Sequence, residues 1–148
     1  MEVTYGDEYR SPTSPLTDGT VTRQQFRAEH WHLKGVAIPF SHCSGSELPG
    51  RIIVQILDQR FEIMGESVAD TSKIVEGAWH EFPLDVVTVQ GGTYELKMFT
   101  INCRSGMSPQ ASQGRRIHGG FFFLGSKLMR HTELTCRFVY SDPTTSTL

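Results

Sequence analysis

Residues 133–140 read ELTCRFVY, and no other stretch of the chain alternates so cleanly. Leu134, Cys136, Phe138 and Tyr140 fall on one side of an extended chain, while Glu133, Thr135 and Arg137 fall on the other. Successive side chains of a strand point to opposite faces, so the pattern predicts a strand with one face on a core and the other in solvent.

The same period recurs upstream. Residues 20–28 set Thr22, Gln24, Phe26 and Ala28 against Val21, Arg23, Gln25 and Arg27, and residues 32–40 carry Val36, Ile38 and Phe40 two apart. Residues 51–58, RIIVQILD, are apolar on both sides, which predicts a central strand. Gln59-Arg60 reads as a tight reversal, residues 79–89 as extended, and Gly91-Gly92 as a hairpin turn into TYELKMFT, where Tyr94, Leu96 and Met98 alternate with Glu95 and Lys97. Gly125-Ser126 marks a second hairpin, between residues 119–124 and 127–130. Only DTSKIVEG, residues 70–77, offers as much as two helical turns, with Asp70 or Ser72 as N-cap. Many short strands, glycine turns and almost no helix predict an all-β, two-sheet antiparallel β-sandwich of jelly-roll type.

The expected organisation is an extended N-terminal arm over residues 1–19, a sandwich over residues 20–140 and a polar tail over residues 141–148. The arm reading rests on turn-rich polarity, with Pro12, Pro15 and Asp18-Gly19 and no period. Residues 102–116, NCRSGMSPQASQGRR, read as a long polar loop.

A chain of 148 residues and 16.6 kDa buries about two thirds of its unfolded surface, so a core needs neither disulfide nor metal. Fourteen basic against sixteen acidic residues, scattered along the chain, argue against nucleic acid, which calls for a basic stripe. The longest nearly apolar run, residues 119–124, is far short of the roughly 20 residues of a membrane-spanning helix. The opening MEVTYGDEYRSP has acids where a secretion signal carries positive charge, so synthesis in a cytoplasm without general secretory export is expected. Cys43, Cys103 and Cys136 lie 60 and 33 residues apart without a CxxC, which suits buried reduced thiols.

The order of motifs resembles galactose-binding-like jelly-roll modules of the carbohydrate-binding type. The Gln-x-Phe strand of VTRQQFRAEHWHLKGVAIPF leads to a Leu-x-Gly-Val strand; RIIVQILD resembles the apolar strand ending in Leu-Asp. IVEGAWHEFPLDVV is similar to a Gly-x-Trp-x-x-Phe element, GGTYELKMFT to a Gly-x-x-Tyr-x-Leu strand, and HGGFFFLGSKLMRHTELTCRFVY to the closing hairpin. The resemblance covers residues 20–140 and implies a non-catalytic module of a kind that binds glycans beside enzymes and also occurs in phage decoration and tail proteins. It further implies that Trp79 is a core tryptophan.

His30 and His32 have the His-x-His spacing of a cupin metal site, but the first acid after them is Glu47, so the motif is incomplete and no metal or cofactor is expected. Cys43 beside His42 lacks an orienting third group, and adjacent strand residues face opposite ways. Asp58, Asp70 and Asp85 near strand ends read as solvated turn acids. Glycan binding calls for an exposed flat ring flanked by hydrogen-bonding groups, and Trp31 with Glu29 and His32 is the candidate. FFFL, residues 121–124, reads as a central strand or as one with a face buried against another chain.

The expected function is therefore non-catalytic: a structural protein of a virion, as a phage capsid decoration or cement protein or a tail subunit, localised in the virion after synthesis in the host cytoplasm. Its partners would be capsid or tail proteins and further copies of itself, such as a trimer, with no nucleic acid and no membrane. Contacts are expected from Tyr5, Tyr9, Pro12, Pro15, Arg104, Met107, Arg115, Arg116 and Phe122. The alternative is a carbohydrate-binding module using Trp31, cytoplasmic or extracellular, and the third reading a cupin-like metal enzyme.

Overall fold

The computed structural model describes residues 1–7, 10–13, 16, 19–42, 50–103, 108–113 and 121–141. Thirteen strands are found among them: β1 (Glu2–Tyr5), β2 (Arg10–Pro12), β3 (Val21–Arg27), β4 (His32–His42), β5 (Arg51–Leu57), β6 (Ile63–Asp70), β7 (Trp79–Val87), β8 (Thr93–Ile101), β9 (Ser108–Gln113), β10 (Phe122–Leu124), β11 (Lys127–Leu128), β12 (Thr132–Leu134) and β13 (Cys136–Tyr140). All pair antiparallel. One sheet runs β1-β13-β4-β9-β12, with β2 beside β9 and β7 beside β4; the other runs β11-β10-β3-β8-β5-β6. The two pack face to face as an all-β sandwich compatible with a jelly roll.

The core is the set of inner faces that the alternation predicts. Phe26 and Ala28 of the β3 segment, Val36, Ile38 and Phe40 of β4, and Leu96 and Met98 of β8 meet Leu134, Cys136, Phe138 and Tyr140 in one buried cluster. Phe26 and Phe138 stack across the sheets with ring centres 4.1 Å apart. Gln24 is buried among them, and its side chain bridges the sheets: Oε1 accepts the Leu134 N–H at 2.9 Å, and Nε2 donates to the Gln25 carbonyl at 2.8 Å.

Several expectations are corrected. Within the segment expected as an extended arm outside the core, the described residues join the sandwich: β1 lies in register with β13 and β2 with β9, and Tyr5 and Leu16 are buried in the core cluster. Short strands that join an existing edge need no apolar period of their own, which is why composition hid them. Gly91-Gly92 does not close a hairpin. β7 pairs β4 in one sheet while β8 pairs β3 and β5 in the other, so this turn crosses the sandwich. Gly91, at φ 82°, adopts the left-handed conformation that favours glycine, and its N–H donates to the Ala28 carbonyl at 2.8 Å. The loop expected over residues 102–116 contains β9, which takes its partners from β2, β4 and β12. The expected last strand is two, β12 and β13, broken at Thr135, whose N–H donates to the Gln110 carbonyl.

β10 is flanked on both sides, by β3 and by the two-residue edge strand β11, so the FFFL stretch enters the sheet interior one strand from its edge, with Phe122 buried and Phe123 and Leu124 half-buried. Trp79 is not a core residue either. It is half-buried on the outer face of its sheet, with the guanidiniums of Arg137 and Arg10 at 4.4 and 5.4 Å from its ring centre. The helical signal of residues 70–77 shrinks to one 3-10 turn, Thr71–Lys73. Cys103 and Cys136 are buried and in no disulfide; Cys43 lies outside the described residues.

Candidate functional site

Two of the connections that cross between the sheets, β3–β4 and β7–β8, lie side by side at one end of the sandwich. After β3 the chain turns through residues 28–31, and the β7–β8 crossing runs alongside it: Ala28 N–H donates to the Gly92 carbonyl at 2.9 Å and Thr88 N–H to that of Trp31 at 2.7 Å. The Thr88 hydroxyl donates to the His30 carbonyl at 2.5 Å. Both chain termini of the fold close the same end, with the Tyr140 N–H donating to the Met1 carbonyl at 2.8 Å and the Ser141 N–H to that of His32 at 3.0 Å. The backbone of the Trp31 loop is thus fixed on two sides, and its ring projects outward.

Trp31 is 41% exposed and its indole stacks on the His32 imidazole, centres 5.1 Å apart and planes 24° from parallel. His32 is itself held at both nitrogens. Nε2 meets Asp85 Oδ1 at 2.5 Å, and Nδ1 meets the Ser141 hydroxyl. Strand register slips around Lys34 on both sides, between Leu33 and Gly35 against β7 and between Val139 and Tyr140 against β13. Such irregularities re-aim side chains, and here Asp85 reaches His32 across them.

A serine, a histidine and an aspartate in one contact chain invite comparison with an acyl-transfer relay, whose oxyanion hole is made of free backbone donors. The Ser141 N–H is committed to the His32 carbonyl, and Asp85 is 89% exposed where a relay acid is shielded. The arrangement instead locks an imidazole beneath an exposed indole, with a carboxylate beside it.

Glu29 joins this end differently. Its N–H donates to the Tyr140 hydroxyl at 3.3 Å. Burial pushes the Tyr140 phenol up to about 12, with the Glu29 charge adding to the effect; burial raises the Tyr5 phenol further still. The His30 ring sits edge-on to Tyr140 at 5.4 Å and touches the Met1 sulfur, so the two histidines serve different partners. Among the described residues no three His, Cys, Asp or Glu side chains converge as a metal site would require.

Beside the Trp31 loop lies an open cleft of about 370 Å³, lined by Asp58, Gln59, Arg60, Val89, Gly92, Thr93 and Tyr94. Asp58 fixes its rim: the carboxylate accepts the N–H of Arg60 at 2.8 Å and of Glu62 at 3.0 Å. The Tyr94 hydroxyl accepts the Val89 N–H at 2.9 Å. Trp31, His32 and Glu29 are therefore brought to one end, as their sequence proximity dictates. Asp85 and Ser141 are the partners that sequence reading did not assign, since they lie 53 and 109 residues from His32.

Of the expected contact residues, Tyr5 is buried edge-on against Phe138 at 5.5 Å, and Phe122 is buried between the sheets, so neither is available to a partner. Pro12 is exposed, and it lines with Phe122 a second cleft of about 200 Å³. Tyr9, Pro15, Arg104, Met107, Arg115 and Arg116 lie outside the described residues. No family model matches the chain, and no curated protein matches it closely enough to count as a relative.

Proposed function

We propose that this chain is a non-catalytic β-sandwich that acts by surface contact, as a structural subunit of a virion: a capsid decoration or cement protein, or a tail subunit, of a phage. The single observation that carries the reading is the outer face of the six-stranded sheet. A lone two-layer sandwich solvates its outer faces, yet here Val21, Phe99 and Phe123, all half-buried, and Val68, 51% exposed, lie on the side opposite the core around Ile53, which their sheet already buries to 5% exposure. Ile101 and Phe121 are 46% and 44% exposed on the same sheet. A contiguous apolar surface of this kind marks a contact with another macromolecule. The resemblance to galactose-binding-like modules belongs to the same proposal, and partners are coat or tail proteins and other copies of the chain.

The test is mass spectrometry of density-purified particles from the organism that encodes the chain. A copy number comparable to that of a coat protein is expected. Absence from particles would remove the virion reading.

A second reading, glycan recognition, is favoured by the locked Trp31 platform with Asp85 and the neighbouring cleft, since a flat ring beside hydrogen-bonding groups suits a sugar. On a glycan array, Trp31→Ala should abolish any binding while leaving the melting temperature within a degree or two. Unchanged binding would assign the platform a packing role.

A further inference from the structure

The strand register arranges the outer face of the six-stranded sheet in rows. One row runs Val68, Ile53, Phe99, Val21 across β6, β5, β8 and β3. The adjacent row runs Glu66, Gln55, Lys97, Arg23 across the same strands and continues to Phe123 and Leu128 on β10 and β11. The inner neighbours Ile52, Val54, Ile56, Leu96, Met98 and Phe26 are in the core, which fixes both rows on the outside.

The side chains are held. Gln55 Nε2 donates to Glu66 Oε2 at 2.7 Å, Lys97 Nζ lies 5.6 Å from the Phe99 ring centre, and the Arg23 guanidinium lies 4.9 Å from that of Phe123. Charge is separated along the row, with the acid on β6 and the cations on β8 and β3.

We propose that this face pairs with the same face of a second copy of the chain, about a two-fold axis that runs along the strands between β5 and β8. The inference deepens the reading of this face as a contact surface and rests on it. Rotation about that axis carries each row onto itself and exchanges β6 with β3 and β5 with β8. Val68 then lies over Val21 of the second copy and Glu66 over Arg23, twice each, with Phe99 and Lys97 at the centre; Ile53 and Gln55, 5% and 7% exposed in one copy, lie beneath these side chains and add no contact of their own. A two-fold axis across the strands would instead set Glu66 on Glu66 and Lys97 on Lys97 if it lay on the charged row, or bury Glu66 against Val68 and Lys97 against Phe99 if it lay between the rows, and like charges in contact or charges buried on apolar groups disfavour association. Charge complementarity therefore selects one of the two closed arrangements, and an isologous contact closes at two subunits. Packed sheets lie about 10 Å apart and cross at about 30°, so the central rows carry the contact. Glu95, one row further, is buried and 3.9 Å from Arg23 of its own chain.

The experiment is sedimentation velocity of the full chain from about 1 to 200 μM, which reads dissociation constants in the micromolar range. The mass is expected to rise toward twice the 16.6 kDa of one chain. Glu66→Arg and Val68→Lys should each weaken association at least tenfold, with circular dichroism and melting unchanged because both positions are on the surface. Glu66→Arg combined with Arg23→Glu, both in a Glu95→Gln background that removes the like charge beside position 23, should restore association relative to Glu66→Arg in that background. A monomer at every concentration overturns the pairing, as does a dimer indifferent to both single variants or a charge swap that fails to rescue. A monomeric protein still found in purified particles would overturn the pairing and leave the contact reading standing. Dimers from a protein absent from particles would keep the pairing and remove the virion reading.

Discussion

Thr22 shows how one atom can work against its own strand. It occupies an inward position of β3, its side chain is buried, and its hydroxyl has no hydrogen-bond partner among the described residues. A buried hydroxyl left unpaired costs about 1–3 kcal/mol of desolvation, and valine has nearly the same shape. Thr22→Val is therefore expected to raise stability by about 1 kcal/mol or more, read as a higher urea midpoint at unchanged slope. Gln24, two residues on, shows the opposite case, since its amide is paired with Leu134 and Gln25 and holds the two sheets together.

Glu95 is a residue-scale case with a pH signature. Burial raises its carboxyl above the ordinary glutamate range, against the opposing pull of Arg23 and Lys97. The folded protein then holds this proton more tightly than the unfolded chain. Its contribution to stability accordingly falls as pH rises from the ordinary range through the raised value. Glu95→Gln should be at least as stable as the parent above that window, and the difference should close as pH falls below it. Urea titrations of both proteins at a series of pH values check this, because other groups cancel in the difference.

At the scale of elements, the first strand decides what a truncation does. β1 covers the free edge of β13 over four residue pairs, and Tyr5 is buried against Phe138. Removing residues 1–12 would strip β1 and β2 and expose a strand edge beside an uncovered core. Such a truncation is expected to lose soluble yield or unfold, and Tyr5→Ala alone should cost about 3–5 kcal/mol, as other large buried aromatics do. A truncated protein with an unchanged melting temperature would show that these strands are dispensable. Close approach acts at the same scale on β6: a Cβ on Gly65 would overlap the Val86 side chain of β7, so only glycine lets the two sheet edges meet.

For the whole molecule, the buried thiols report on the integrity of the sandwich. Cys136 lies in the core, where burial pushes its thiol well above the ordinary range, and Cys103 is buried as well. Since thiolate is the reactive form, a thiol reagent should label at most one of the three cysteines in the native protein and all three in denaturant. Rapid labelling of two or three without denaturant would contradict this packing.

Strand faces were legible in the sequence because alternation is a local property: Leu134, Cys136, Phe138 and Tyr140 point inward as their spacing requires. RIIVQILD likewise announced a strand flanked on both sides, and Asp58 at its end caps the following turn. Pairing was not legible, because a strand's partner depends on residues far away in the chain. Gly91-Gly92 looked like a hairpin turn, yet it crosses between sheets, since β7 finds β4 and β8 finds β3 and β5. At the candidate site, Trp31, His32 and Glu29 were visible as neighbours, whereas Asp85 and Ser141 reach His32 only through the bulged register of β4, β7 and β13.

By itself, then, the sequence determined the all-β class and the inward and outward sets of the long strands. These follow from side-chain period and composition. Tertiary structure alone decided that Glu2–Tyr5 and Arg10–Pro12 belong to the sheets, that FFFL lies near an edge, and that the apolar and charged outer positions of β6, β5, β8 and β3 line up in rows. Each of those depends on hydrogen-bonded register between distant segments, which no local pattern encodes.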